Sequence, residues 1–303
     1  MSEANTIYQK RTYGERINTT FAFMREHIRV LLRLCLPFML PFSIMVALVY
    51  TVEEIGIDVN GTDLEMLKSI SLSDTASEII IIATSLFTVS TVVPMTFTVI
   101  NAAERGPENV NKVRFKDIRK DFVLNTAKWV LMALPVIILI LLLVIIPSDF
   151  VSYGLLILLT LVVMFLMSLS RAEFLLSKSS TYGGSIFKSA NYVTKSHGAS
   201  TPIFILALMV ICTFIFLWEI WVVSAIGEFK IELIGNDPSK HLVAYSVYWL
   251  LFFALHTLIF ISISLVLVLI TVGKAYQYGT VEDRISHMSI KQRIKNFEKL
   301  RDS

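Results

Sequence analysis

The chain has 303 residues, 55% apolar or aromatic and only 17% charged, with a formal net charge of +3. An ordinary soluble domain carries about 25% charged residues, and the polar stretches between the apolar runs are too short to bury a core of their own. Composition therefore excludes a soluble globular enzyme and points to an integral membrane protein.

Taken in order, residues 1–13 are polar and read as a flexible N-terminus. They contain no apolar stretch of signal-peptide type, so the first span is expected as an uncleaved anchor. Residues 14–29 follow as an amphipathic segment, with Ile17, Phe21, Met24 and Ile28 at helical spacing beside Arg16, Arg25 and Arg29. That pattern predicts a helix lying in the headgroup plane with its cations on anionic lipid. Span one, residues 30–50, opens with Arg33 and holds Pro37 and Pro41, which are expected to kink it. An acidic loop with an Asn60-Gly61 turn leads to span two, residues 76–100. There Thr84, Thr88 and Thr91 fall at i, i+4 and i+7, a stripe suited to close helix packing and interhelical hydrogen bonds.

Gly106-Pro107 should end that helix. A second amphipathic segment, residues 113–127, carries Phe115, Ile118 and Phe122 on one face, with Arg119 and Lys120 among them. Span three, residues 129–146, contains Pro135 and is joined by a short turn to span four, residues 154–170, its expected antiparallel neighbour. Gly183-Gly184 opens a third amphipathic segment with Ile186, Ala190 and Val193 on one face, and span five follows at residues 203–226. Span six covers residues 243–272. The basic tail, residues 274–303, places Ile290, Ile294 and Phe297 on one face among Lys291, Arg293 and Lys295. Cys35 and Cys212 both lie in apolar runs and read as small buried side chains.

The expected fold is all-α and integral to the membrane. Residues 14–273 form one domain of six transmembrane helices, arranged as three hairpins, each preceded by a cytoplasmic interfacial amphipathic helix. Lysine and arginine set the orientation: of 27 in the chain, all but Lys68, Lys230 and Lys240 fall in the termini and the two long even loops. The positive-inside rule places those segments, and both termini, in the cytoplasm.

Glu219 is the one carboxylate well inside a span, and an ionisable residue there is a functional candidate. Trp218 and Trp221 flank it, which favours a place near the interface. His256 lies seven residues from Trp249, roughly 10 Å deeper along a helix. A Glu219–His256 pair would be a proton relay; a structural hydrogen bond, or no contact, is the plainer reading. The histidines are otherwise scattered, and no nucleotide loop, nucleophile elbow or paired carboxylate motif occurs. The chain is therefore expected to be non-enzymatic, with no cofactor and no metal. Its basic segments point to lipid headgroups and not to nucleic acid, through Arg16, Arg25, Arg29, Arg119, Lys120, Lys291, Arg293 and Lys295.

Residues 171–195, RAEFLLSKSSTYGGSIFKSANYVTK, resemble the loop of a bacterial six-helix membrane-domain family in which a glycine precedes an amphipathic helix bearing a basic–Ser pair. The matching positions are Gly184, Lys188 and Ser189. The family includes the membrane domain fused to glycerophosphodiester phosphodiesterases and many stand-alone proteins. AYQYGTVEDR, residues 275–284, resembles the Tyr-rich exit from the last helix of such proteins; Tyr182 departs from the acidic or small residue common there. A phosphodiesterase barrel typically needs about 250 residues, for which this chain has no room, so that activity is not carried over. The resemblance implies a multi-pass protein of a bacterial inner membrane; the repeated basic amphipathic unit and the absence of catalytic constellations suggest that it organises lipid or a partner. A transporter or channel for a small solute or lipid is the alternative, drawn from the prolines in the spans and from Thr84, Thr88, Thr91, Glu219 and His256.

Overall fold

The computed structural model describes residues 7–59, 74–105, 110, 112–145, 169–177, 181–194, 213, 217, 221 and 242–286. Among these residues the chain is all-helical, with six helices and no strand: α1 (Tyr13–Val59), α2 (Asp74–Arg105), α3 (Phe115–Ile145), α4 (Ser170–Leu176), α5 (Tyr182–Thr194) and α6 (Leu242–Ser286). Three stretches are long and apolar enough to cross a membrane: Tyr13–Val52 of α1, Ile79–Arg105 of α2 and Val247–Ile285 of α6. They contain or overlap expected spans one, two and six. Residues 129–145 of expected span three fall within α3. Spans four and five lie almost wholly outside the described residues, as does the tail with Lys291, Arg293 and Lys295.

Local chemistry accounts for the helix ends. Thr12 and Glu15 form a capping box at the head of α1: the Glu15 N–H donates to the Thr12 hydroxyl at 3.4 Å, and the Thr12 N–H donates to the Glu15 carboxylate at 2.7 Å. Asp117 accepts from the Arg114 N–H at 3.0 Å just before α3. α2 stops at Arg105, immediately before Gly106-Pro107.

The expected interfacial helices 14–29 and 113–127 are not separate elements. α1 runs unbroken for 47 residues and α3 for 31, each from its basic amphipathic stretch into its apolar one. No glycine or proline separates Gly14 from Pro37, or Phe115 from Pro135, so nothing interrupts the backbone ladder where a bend would be needed. α5 is a helix of 13 residues, and the segment between it and expected span five lies outside the described residues. The expected end of the membrane domain at residue 273 is also passed: α6 continues to Ser286, so AYQYGTVEDR is helical throughout.

The described residues of Met1–Leu34, Val93–Leu208 and Leu269–Ser303 form one compact unit, and those of Cys35–Val92 and Met209–Val268 a second. The first has a mixed core. Phe97, Leu31, Met95, Ile100, Met132 and Leu169 are fully buried, and so are Tyr276, Gln277 and Tyr278. The second buries hydroxyls but no charge in its apolar stretches, with Ser43, Thr51, Thr84, Thr91 and Ser264 inside. Residues 35–52, 79–92 and 247–268 contain no Asp, Glu, Lys or Arg, while Ile44, Leu48, Ile82, Leu250 and Leu258 are exposed. An apolar surface of this kind is what hydrocarbon requires and water penalises. On this apolar surface Phe42 packs on the exposed Phe87 with ring centroids 4.3 Å apart, and the exposed Tyr50 stacks on His256 at 5.8 Å.

Candidate functional site

The polar chemistry of the first unit converges on the short helix α4 and the last three turns of α6. α4 has only seven residues and cannot satisfy its own ends. At its start, the Leu169 N–H donates to the Ser189 hydroxyl of α5 at 3.2 Å. At its end, Lys128 of α3 donates to the Phe174 carbonyl at 2.9 Å, and Asn101 of α2 to the Leu175 carbonyl at 3.2 Å. A cation on the last carbonyls also complements the helix dipole. Met132 and Phe174 form the apolar side of this junction, with Tyr182 and Ile186 packed against them.

Glu173 of α4 and Glu282 of α6 are both buried. Lys188 of α5 bridges them, its ammonium 3.0 Å from the Glu173 carboxylate and 2.9 Å from that of Glu282. The Tyr192 hydroxyl donates to Glu282 and lies one helical turn further along α5. Burial works against the Lys188 ammonium, but the hydrogen bonds and negative charge of Glu282 and Glu173 outweigh it and lift its pKa above the ordinary lysine value. Burial, reinforced by Glu282, also pushes the Tyr192 phenol well above the ordinary tyrosine range. The cluster therefore holds its protons. One ammonium and one phenol hydroxyl donate to two buried carboxyl groups, an arrangement that fastens three helices together.

A strap, residues 7–12, lies along the same part of α6. The Ile7 N–H donates to Glu104 of α2 at 2.7 Å. Tyr8 meets the Tyr278 ring edge-on at 6.3 Å, and the Arg11 guanidinium lies 5.1 Å from the centre of the Tyr276 ring. Arg284 donates to the Arg11 carbonyl at 3.1 Å, closing the strap from the other side. Arg16, on the first turn of α1, donates to Gln277.

Arg16 is thereby corrected as a headgroup candidate: it is buried and engaged inside the protein. The buried row of α1 is Arg16, Thr20, Phe23 and His27, one residue before the expected row Ile17, Phe21, Met24 and Ile28. α5 shows the same one-residue displacement at Ser185, Ser189 and Tyr192, which are buried where Ile186 and Ala190 are only half-buried. One residue is about 100° of helix rotation. The inward faces are polar because they meet Gln277, Glu282 and the open end of α4.

Arg25, Arg29, Arg119 and Lys120 are all exposed. Arg25, Glu26, Ile28, Arg29, Val30 and Arg33 line a groove of about 480 Å³ on α1. Gly184 and its neighbours take unexpected places: α5 begins at Tyr182, Thr181 caps it, and the Gly184 N–H donates to the Thr181 hydroxyl at 3.3 Å. A Cβ at Gly184 would stand 2.8 Å from that hydroxyl, so the glycine makes room for the cap.

Thr84 and Thr91 are buried and Thr88 half-buried. Their hydroxyls donate to the carbonyls of Ile80, Phe87 and Thr84 in their own helix, at 2.6, 2.9 and 2.9 Å. The donors expected to bridge helices are thus used within α2. His256 Nδ1 is 2.9 Å from the Phe252 carbonyl, which fixes the proton on Nδ1, since a carbonyl only accepts. Glu219 lies outside the described residues. Among the described residues, no group of three or more His, Cys, Asp and Glu side chains converges as a metal site.

No family model matches the sequence, and neither a curated protein nor a solved structure matches it. Glu173 lies within residues 171–195 and Gln277 and Glu282 within 275–284, but none of them is a matching position of the resemblance, and Arg11 lies in neither stretch. One signal was available: Glu173 is the lone acid among residues 171–200, which hold four lysines and arginines, and an isolated acid in a basic segment suggests pairing.

Proposed function

We propose that the protein is a non-enzymatic, multi-pass membrane protein that organises anionic lipid at the cytoplasmic face of a bacterial inner membrane. α3 carries this reading. Its first turns expose Arg119 and Lys120, while its later turns expose Leu131, Leu134 and Ile138. A helix that presents cations at one end and bare hydrocarbon further along matches a headgroup layer above acyl chains. The six-span, three-hairpin arrangement with both termini cytoplasmic follows from the charge distribution and the hydropathy of the sequence. The likeness to stand-alone relatives of the phosphodiesterase-fused membrane domain agrees with it.

The test is to purify the full chain in a neutral detergent and analyse the phospholipid that remains bound. Anionic phospholipid should be enriched over its share in the source membrane, and the double change Arg119→Gln, Lys120→Gln should reduce that enrichment. Release of the protein from membranes by alkaline carbonate, or bound lipid of bulk composition, would overturn the reading.

A further inference from the structure

We propose that the groove along Arg25, Arg29 and Arg33 of α1 is a binding site for a phosphate ester, the headgroup of an anionic phospholipid. This rests on the lipid-organising reading and assigns it a place. The three arginines recur at i, i+4 and i+8, so their stems form one row with about 6 Å of rise between successive members. All three are exposed, and together with Ile28 and Val30 they border a groove of about 480 Å³ in which Glu26 is the one acid among the described residues.

Like charges four residues apart on one helix face disfavour that helix. The row has two such pairs, and it is not the buried row of α1, which runs through Arg16, Thr20 and His27. A bound anion removes the repulsion. Arginine also suits phosphate, because its planar fork donates two parallel hydrogen bonds to two oxygens.

The groove has a fixed end. The Arg33 guanidinium donates to the carbonyl of Val113, which holds that side chain in place. It also brings the exposed Lys112 and Arg114, the chain neighbours of Val113, to the same end of the row. Positive charge thus comes from two separate segments. Ile28 and Val30 give the groove an apolar component that suits the glycerol and first acyl carbons of a lipid better than a free ion.

The experiment uses the full chain in a neutral detergent, with native mass spectrometry as the readout. The probes are a short-chain phosphatidylglycerol, the matching phosphatidylcholine, glycerol phosphate and inorganic phosphate. Phosphatidylglycerol should bind more tightly than phosphatidylcholine. Arg25→Gln with Arg29→Gln should weaken it about tenfold or more, while Arg25→Lys with Arg29→Lys, which keeps the charge and loses the fork, should fall between. Both pairs are exposed, so an unchanged circular dichroism spectrum and melting temperature should show that the variants fold.

Phosphatidylglycerol binding that is untouched by the glutamine pair overturns the groove as the site. If that binding is instead lost with Arg119→Gln and Lys120→Gln, the lipid-organising reading stands without the groove. Equal binding of phosphatidylglycerol and phosphatidylcholine by the unaltered chain overturns both. Displacement of the lipid by glycerol phosphate or inorganic phosphate at equal concentration overturns the lipid assignment in favour of a soluble phosphate ester.

Discussion

Gly279 of α6 lies flush against the backbone of Ile7: a Cβ at residue 279 would stand 2.7 Å from the Ile7 carbonyl carbon and closer still to its oxygen. The strap can therefore lie on α6 only where the helix has no side chain. Gly279→Ala tests this with opposing signs. In an open helix interior the change stabilises by about 0.4–1 kcal/mol. Here the obstruction is backbone, which cannot rotate aside, and overpacking of this kind costs about 1–3 kcal/mol. The expected outcome is a lower melting temperature in detergent together with faster proteolysis within residues 1–12. A melting temperature that rises would mean the strap is not held there.

The Thr181–Gly184 pair makes a second prediction. Loss of an N-cap hydroxyl costs about 1 kcal/mol, so Thr181→Ala should destabilise by about that amount. In a Gly184→Ala background the capping hydroxyl is already displaced, and the same Thr181 change should cost close to nothing. A double-mutant cycle from melting curves measures the coupling directly. Purely additive effects would show that Gly184 serves something other than the cap.

Apolar length was readable in the sequence, and so were the breakers. The three long apolar helices fall where hydropathy puts them, and α2 is described as far as Arg105, the residue before Gly106-Pro107. The continuity of α1 and α3 was readable too, since neither holds a breaker between its basic and apolar halves. The charge pattern suggested a bend that backbone chemistry gave no reason for. The rotation of α1 and α5 was not readable. Apolar periodicity finds the face that avoids water, whereas these helices turn inward the face that meets Gln277 and Glu282, 261 residues from Arg16 and 90 from Tyr192. The family resemblance marked Lys188 and Ser189. Their roles depend on Glu173, Glu282 and Leu169, which no local pattern joins to them.

The bridge at Lys188 should be asymmetric to mutation. Removing one partner of a buried pair costs about 3–5 kcal/mol, because the remaining charge stays buried. Lys188 has a third of its side chain exposed, 35%, which places the expected cost of Lys188→Met at the lower end of that range. The larger part comes from Glu173 and Glu282, two buried carboxyl groups that would lose their shared ammonium. Adding Glu282→Gln to Lys188→Met should therefore restore stability in part. If the second change instead adds a full further loss, the two carboxylates do not repel through this site.

Alkaline pH should loosen the same cluster, and the sign follows from its two proton-holding groups. Lys188 and Tyr192 each have a folded pKa raised above the unfolded value, which is 10.5 for lysine and 10.0 for tyrosine. Below about pH 10 both states hold both protons, and the cluster contributes in full. Above it the unfolded chain releases its protons first, so stability falls as pH rises towards the folded values. The Tyr8 phenol of the strap is raised in the same direction, chiefly by burial, and adds to the slope. Tyr192→Phe separates the contributions. At pH 8 it should lower the melting temperature, since it removes a hydrogen bond to a carboxylate worth about 1.5–3 kcal/mol. Between pH 10 and pH 11 the melting temperature of the variant should fall less steeply than that of the unaltered chain, because one of the protons driving the decline is gone. Parallel curves over that interval would place the alkaline transition elsewhere in the protein.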